Sequence, residues 1–259
     1  MGEFFTYSLN NVFAFSLALV RVSGLCVVSP FYGGEQVPRQ IRVLLALCIT
    51  FVIYPTLAVN IQQLPTEVVE YGLLVFKNLC VGLLIGFLVT AIFFGFQLGG
   101  RFISIHMGLA MAQMLDPFSN MQSSVIGQIF GLLTITMFVI MNGHHLILKA
   151  LHESFMKIPL MSVSFHADIF QQAIVTFNIV IITSLKIAAP TMAALFAVNV
   201  IFGFISRLVP QMNVFILSLP AKIAVGIFII ISVLPVIVYL LSDVINSVFR
   251  DLYVIIHSF

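Results

Sequence analysis

The chain has 259 residues, a formal net charge of +2, 61% hydrophobic residues and 8% charged ones. A soluble domain holds roughly 45–50% apolar and about 25% charged residues, so this composition belongs to a polytopic membrane protein. The 11 Lys and Arg are too scattered for a nucleic-acid surface.

The first ten residues, MGEFFTYSLN, carry Glu3 and no basic n-region, so the first apolar run is expected to stay in the protein rather than be cleaved as a signal. Gly2 and Thr6 fit a myristoylation pattern, but a multispanning chain needs no such anchor. That first run covers 12–28 and stops at Ser29-Pro30 and Tyr32-Gly33-Gly34, where proline lacks an amide donor and glycine tolerates positive φ. A second run, 41–59, contains Pro55 and leads into a polar stretch, 60–70. The third, 72–96, is long enough to span with tilt. A less apolar stretch, 97–124, precedes the fourth run, 125–141.

A polar connector, 142–168, holds most of the histidines. The fifth run, 174–205, is too long for one straight span and has Pro190 in its middle. The last run, 214–241, is expected to be interrupted by Pro220 and Pro235. A mid-helix proline frees the carbonyl four residues earlier, which for Pro190 is that of Lys186. The fold class is all-α, with five to six long hydrophobic helices and no tandem repeat.

Arg21, Lys77 and Lys186 lie inside these apolar runs. A cation at the centre of a membrane helix costs roughly 2.5–3.5 kcal/mol on insertion scales, so each is expected against protein or water, at contacts between subunits. Gly82 with Gly86, Gly95 with Gly99, and Gly127 with Gly131 are spaced four apart, which lets helix backbones approach closely. If odd-numbered connections face the cytoplasm, Arg39, Arg42, Arg101, Arg207 and Lys222 lie inside against Lys149, Lys157 and Arg250 outside, a small positive-inside bias. Cys26, Cys48 and Cys80 sit in apolar runs and imply no disulfide framework.

Catalytic, cofactor and metal sites are not expected. There is no Walker A loop, GxSxG, HExxH or GxGxxG. His144 and His145 would point about 100° apart on a helix and make a poor metal pair. Asp116-Pro117 and Asp168 read as helix-start caps. Two stretches are more informative. In 101–122, Met107, Met111, Met114 and Met121 recur by four, three and seven and would line one helical face. Methionine is deformable, and Gly108 and Pro117 add places to bend, so a movable plug across a pore is one reading and ordinary Met packing the other. In 207–222, a hairpin carries Arg207, Pro210, Gln211, Asn213, Pro220 and Lys222, either as a solvated turn with basic flanks or as a contact surface.

Nearly the whole chain resembles the FliR family of flagellar biosynthetic proteins, subunits of the type III export gate. The residues carrying the likeness are Arg21, Gly24, Pro30, Pro38 and Arg42; Gly82, Gly86, Gly99 and Gly100; Asp116-Pro117; NGHH at 142–145; KIAAP at 186–190; and PQMNVF…SLPAKI over 210–223. The resemblance implies a structural subunit without catalytic activity, lining and plugging a channel for unfolded flagellar polypeptides. It implies partners FliP and FliQ, with FlhB and FlhA nearby, and membrane lipid. It implies an inner-membrane basal-body location, part of the assembly being raised toward the periplasm. Residues 1–168 would be FliP-like and 169–259 a FliQ-like hairpin, and the plug would comprise Phe102, Ile105, Met107, Gly108, Met111, Met114, Asp116 and Pro117. The rival from another class is a stand-alone small-molecule or ion transporter, since transporters also use broken helices with interior charges.

Overall fold

An apolar chain in an apolar medium must satisfy its own backbone, which a helix does within one segment. The computed structural model describes residues 2–34, 37–57, 68–109, 124–211 and 213–259, and every regular element among them is helical. In chain order they are α1 (Gly2–Val28), α2 (Pro30–Gly33), α3 (Arg39–Ile53), a 3-10 turn (Tyr54–Thr56), α4 (Val68–His106), α5 (Val125–Ile140), α6 (Gly143–Lys157), α7 (Ala167–Leu208) and α8 (Val214–His257). Five of these segments are long and apolar enough to cross a membrane, and α5 with α6 makes a sixth if the two form one broken span.

The boundaries follow local chemistry. Pro30 opens α2, and Pro55 falls in the 3-10 turn that ends α3. The Ser124 hydroxyl caps α5 by accepting from the Gly127 amide at 3.0 Å. Asn142, at φ 57°, makes the left-handed corner between α5 and α6. Asparagine is among the few non-glycine residues that adopt this conformation at modest cost.

Three expectations change. First, α4 runs past the third apolar run to His106. Second, the polar connector contains a helix, α6, with Ile147, Ala150 and Leu151 fully buried. Third, α7 continues for 42 residues through Pro190, and α8 for 44 through Pro220 and Pro235. Stopping a helix orphans up to four amides and four carbonyls, whereas an interior proline forfeits one hydrogen bond. Where no water can satisfy the ends, continuing is cheaper.

The chain forms two compact units that do not follow chain order. The first comprises Met1–Ala91, Asn142–Phe177 and Ser247–Phe259. In it α1 buries Ala14, Leu17, Ala18, Arg21, Val22 and Leu25, one helical face. That face lies against α4, so close that a Cβ at Gly82 would overlap the Arg21 carbonyl and one at Gly24 would lie 2.9 Å from the Leu79 carbonyl oxygen. The second unit comprises Ile92–Met141 and Asn178–Asn246. There α4 meets α5 at Gly100, where a Cβ would stand 2.8 Å from the Gly127 Cα, and meets α7 at Gly99, 2.9 Å from the Ser184 carbonyl oxygen. The Phe93 and Phe138 rings pack at 5.3 Å nearby.

Candidate functional site

In the first unit the close approach of α1 and α4 delivers Arg21, completely buried, to the C-terminal end of α6. All five guanidinium N–H groups find acceptors. Nε and Nη2 donate to Asn78 Oδ1 at 3.1 and 2.7 Å, Nη1 to the Ser154 and Ile158 carbonyls at 2.9 and 3.1 Å, and Nη2 also to Ile158 at 3.1 Å. The guanidinium carbon lies 4.7 Å from the Phe155 ring centroid. Among the described residues no carboxylate takes part. The charge is met by the carbonyl end of a helix, where the peptide dipoles concentrate negative potential, and by an aromatic face. Asn78 is held in turn, its amide donating to the Leu74 and Leu160 carbonyls at 2.9 Å each. Arg21 therefore has no donor left over for a neighbour. Sequence reading missed Asn78, although a polar residue in the first half of the third apolar run was the available signal.

The Asn142–His145 motif forms a corner. The Tyr32 phenol donates to the His144 carbonyl at 3.0 Å, and the Phe31 ring stacks on the His144 imidazole at 5.5 Å. Burial, with a smaller push from Cys26, raises the Tyr32 phenol to about 12. Among the described residues no three His, Cys, Asp or Glu side chains are grouped to hold a metal ion.

The other cations are placed differently. Lys77 is half-buried on α4 and Lys186 exposed on α7, and neither has a partner among the described residues. Thus one of the three interior charges is neutralised within its own unit while two remain open.

In the second unit α4 ends beside the stretch singled out for its methionines. Met107 is fully buried, its side chain 2.9 Å from where a Cβ on Gly226 would stand; only glycine leaves α8 that space. Gly108, at φ +82°, turns the chain out of the helix, its amide donating to the Ile105 carbonyl at 3.0 Å. Helix α4 stops at His106, so Met107 and Gly108 lie just past its end. Phe102 is half-buried and Ile105 half-exposed. Met111, Met114, Asp116, Pro117 and Met121 lie outside the described residues.

At the hairpin, α7 ends at Leu208 and α8 begins at Val214, leaving Pro210, Gln211 and Asn213 exposed in the turn and Arg207 exposed in the last turn of α7. The Asn213 carbonyl receives the Ile216 amide at 3.2 Å, starting α8. Pro220 and Lys222 belong to the helix, not the turn.

Known proteins share this pattern along most of their length. The chain is 32% identical to the flagellar biosynthetic protein FliR of Bacillus subtilis (strain 168) over 236 residues, covering 89% of this chain and 90% of that protein. It is 26% identical to the FliR protein of Escherichia coli (strain K12), covering 90% and 88%, and 27% identical to that of Aquifex aeolicus (strain VF5), covering 94% and 93%. The family described as bacterial export proteins, family 1, matches residues 12–248. With that match spanning α1 through most of α8, the chain belongs to the bacterial export proteins, family 1.

Proposed function

We propose that the chain is a structural subunit of the flagellar type III protein-export gate, forming part of the wall and closure of a passage for unfolded flagellar polypeptides. Family membership and the FliR relatives support an export-apparatus subunit, and nothing favours a lone small-molecule transporter. The observation that carries the assembly is the apolar surface of α7 and α8. Exposed apolar side chains extend from Ile174, 61% exposed, to Phe204, 64% exposed, on α7, and from Ile216, 62% exposed, to Val254, 51% exposed, on α8. At 1.5 Å per residue these stretches run about 45 and about 57 Å. A bilayer core is only about 30 Å thick, so lipid covers part of this surface and protein neighbours the rest.

In this reading residues 1–168 act as a FliP-like part and 169–259 as a FliQ-like hairpin. FliP and FliQ homologues complete the gate, with FlhB and FlhA adjoining, in the inner membrane of the flagellar basal body, with part of the particle toward the periplasm. Lys77 and Lys186 meet lipid or neighbours, and the hairpin turn presents Arg207 and Gln211 to the same surroundings. The segment after Gly108 serves as the plug. Met107, wedged against Gly226, anchors it, and Gly108 gives it a hinge. Driving energy comes from the proton gradient and other export components.

Co-expression with the FliP and FliQ homologues, followed by electron microscopy, tests the assembly. One particle containing all three is expected, and a monodisperse single chain ringed only by lipid overturns it. Deleting residues 108–114 should raise ion leakage across the membrane; unchanged conductance overturns the plug.

A further inference from the structure

In the first unit, α4 and the start of α7 leave a groove of about 780 Å³, a size within the roughly 300–1,000 Å³ of ligand pockets. Phe76, Cys80 and Phe87 line it from α4, and Phe170, Ile174 and Phe177 from α7. Its walls are apolar side chains and one thiol, so an occupant with unpaired polar groups would lose their hydration without replacement.

The two ends of the groove differ. Phe87 stacks on Phe177 at 5.6 Å at one end, while the Phe76 and Phe170 end lies toward the beginning of α7 at Ala167, with Asp168 exposed in its first turn. From Phe76 to Phe87 the helix rises about 16 Å, half of the roughly 30 Å hydrocarbon core, which is the depth of one leaflet. Lys77 follows Phe76 and stands one turn before Cys80, half-buried and with no partner among the described residues. Lys77 flanks the Phe76 end of this apolar trough without lining it, and Asp168 is the other charged residue toward that end. The groove also opens sideways, since Phe76 and Ile174 are each 61% exposed.

We propose that this groove seats one acyl chain of an anionic phospholipid, with the lipid phosphate on the Lys77 ammonium. Length and charge together select this occupant. A partner helix would also satisfy its own backbone, but it would need a carboxylate at the depth of Lys77, whereas a lipid in this leaflet carries its phosphate at the required end. The lysine stem lies along the apolar wall while its head reaches the interface.

The test uses the full chain in membranes from cells that make it with its neighbouring gate proteins. Phosphatidylglycerol carrying a photoreactive group at its acyl terminus is added and illuminated, and adducts are mapped by mass spectrometry. Adducts should concentrate on peptides 76–87 and 170–177, relative to the exposed α3 face at Phe51 and Val52, which serves as an internal control for folding and insertion. Lys77→Glu should lower groove labelling about fivefold, the worth of one basic residue near an anionic surface, and Lys77→Arg should retain it. Ala173→Trp should fill the groove and remove labelling there but not at α3. Labelling no greater than at α3, or unchanged in Lys77→Glu, overturns the proposal. So does crosslinking of groove residues to a neighbouring polypeptide instead of lipid, an outcome that leaves the gate reading intact.

Discussion

Replacing Arg21 with methionine keeps an unbranched side chain but removes five donors from a fully buried site. The Ser154 carbonyl still receives the Ile158 amide at 2.9 Å, so it is not orphaned. Asn78 Oδ1 and the Ile158 carbonyl each lose both arginine donors and have no other among the described residues. Leaving a buried acceptor unsatisfied costs about 1–3 kcal/mol, so the two contribute about 2–6 kcal/mol. Part of this is offset because the variant no longer desolvates a cation, which itself costs several kcal/mol. The net expectation is a loss of about 2–4 kcal/mol, or about 30- to 700-fold in the folding equilibrium. Lysine at the same position supplies three donors from a single point and cannot span acceptors set around a planar fork, so Arg21→Lys should fall between the two. Denaturant titration in mixed micelles measures the loss, and proteolysis between α6 and α7 reports whether that corner has opened. An Arg21→Met variant within about 0.5 kcal/mol of the parent chain, a shift no larger than an ordinary surface substitution gives, would falsify the account of a cation neutralised by a helix end.

Two glycine substitutions should diverge. Gly82→Ala forces α1 and α4 apart and should cost about 1–3 kcal/mol as overpacking, while Gly203→Ala, with nothing within 4 Å, should gain about 0.5–1 kcal/mol in the isolated chain. If Gly203→Ala instead lowers recovery of the assembled particle, a neighbour's backbone approaches there. Met107→Ala empties a buried site and should cost about 2–5 kcal/mol, read as a lowered melting temperature together with greater ion leakage if this residue anchors the plug. Alkaline titration should expose the α2 corner. The Tyr32 phenol is raised from 10.0 to about 12 in the folded chain, so its contribution is whole below the unfolded value and disappears as pH climbs through the folded one. Tyrosinate absorbance should show a late step in that window, absent from Tyr32→Phe; a Tyr32 step near pH 10 would contradict the buried hydrogen bond.

The amino-acid order alone determined the class of the protein and most of its elements. Long apolar runs have one cheap solution in a medium without water, so the helices of α1, α3, α4, α5, α7 and α8 were legible, as was a hairpin within 207–222, although Pro220 and Lys222 proved to belong to α8. Family resemblance was legible too, because its motifs fall at corners and close approaches: Asn142 with its left-handed backbone, and Gly82 against the Arg21 carbonyl. Helix ends were less legible. Hydropathy records what a side chain prefers, not where a backbone can afford to stop, so the passage of α7 and α8 through three prolines was hidden.

Only tertiary structure decided the fate of the charges. Arg21, Lys77 and Lys186 look alike in sequence, each a cation in a greasy run. Neutralising Arg21 took the end of α6, more than a hundred residues away in the chain, together with Asn78 and the Phe155 face. The same packing left Lys77 beside an apolar groove and Lys186 on an open helix side. Helical periodicity is local and can be read from spacing; the neutralisation of a buried charge depends on groups that meet only after the chain has folded.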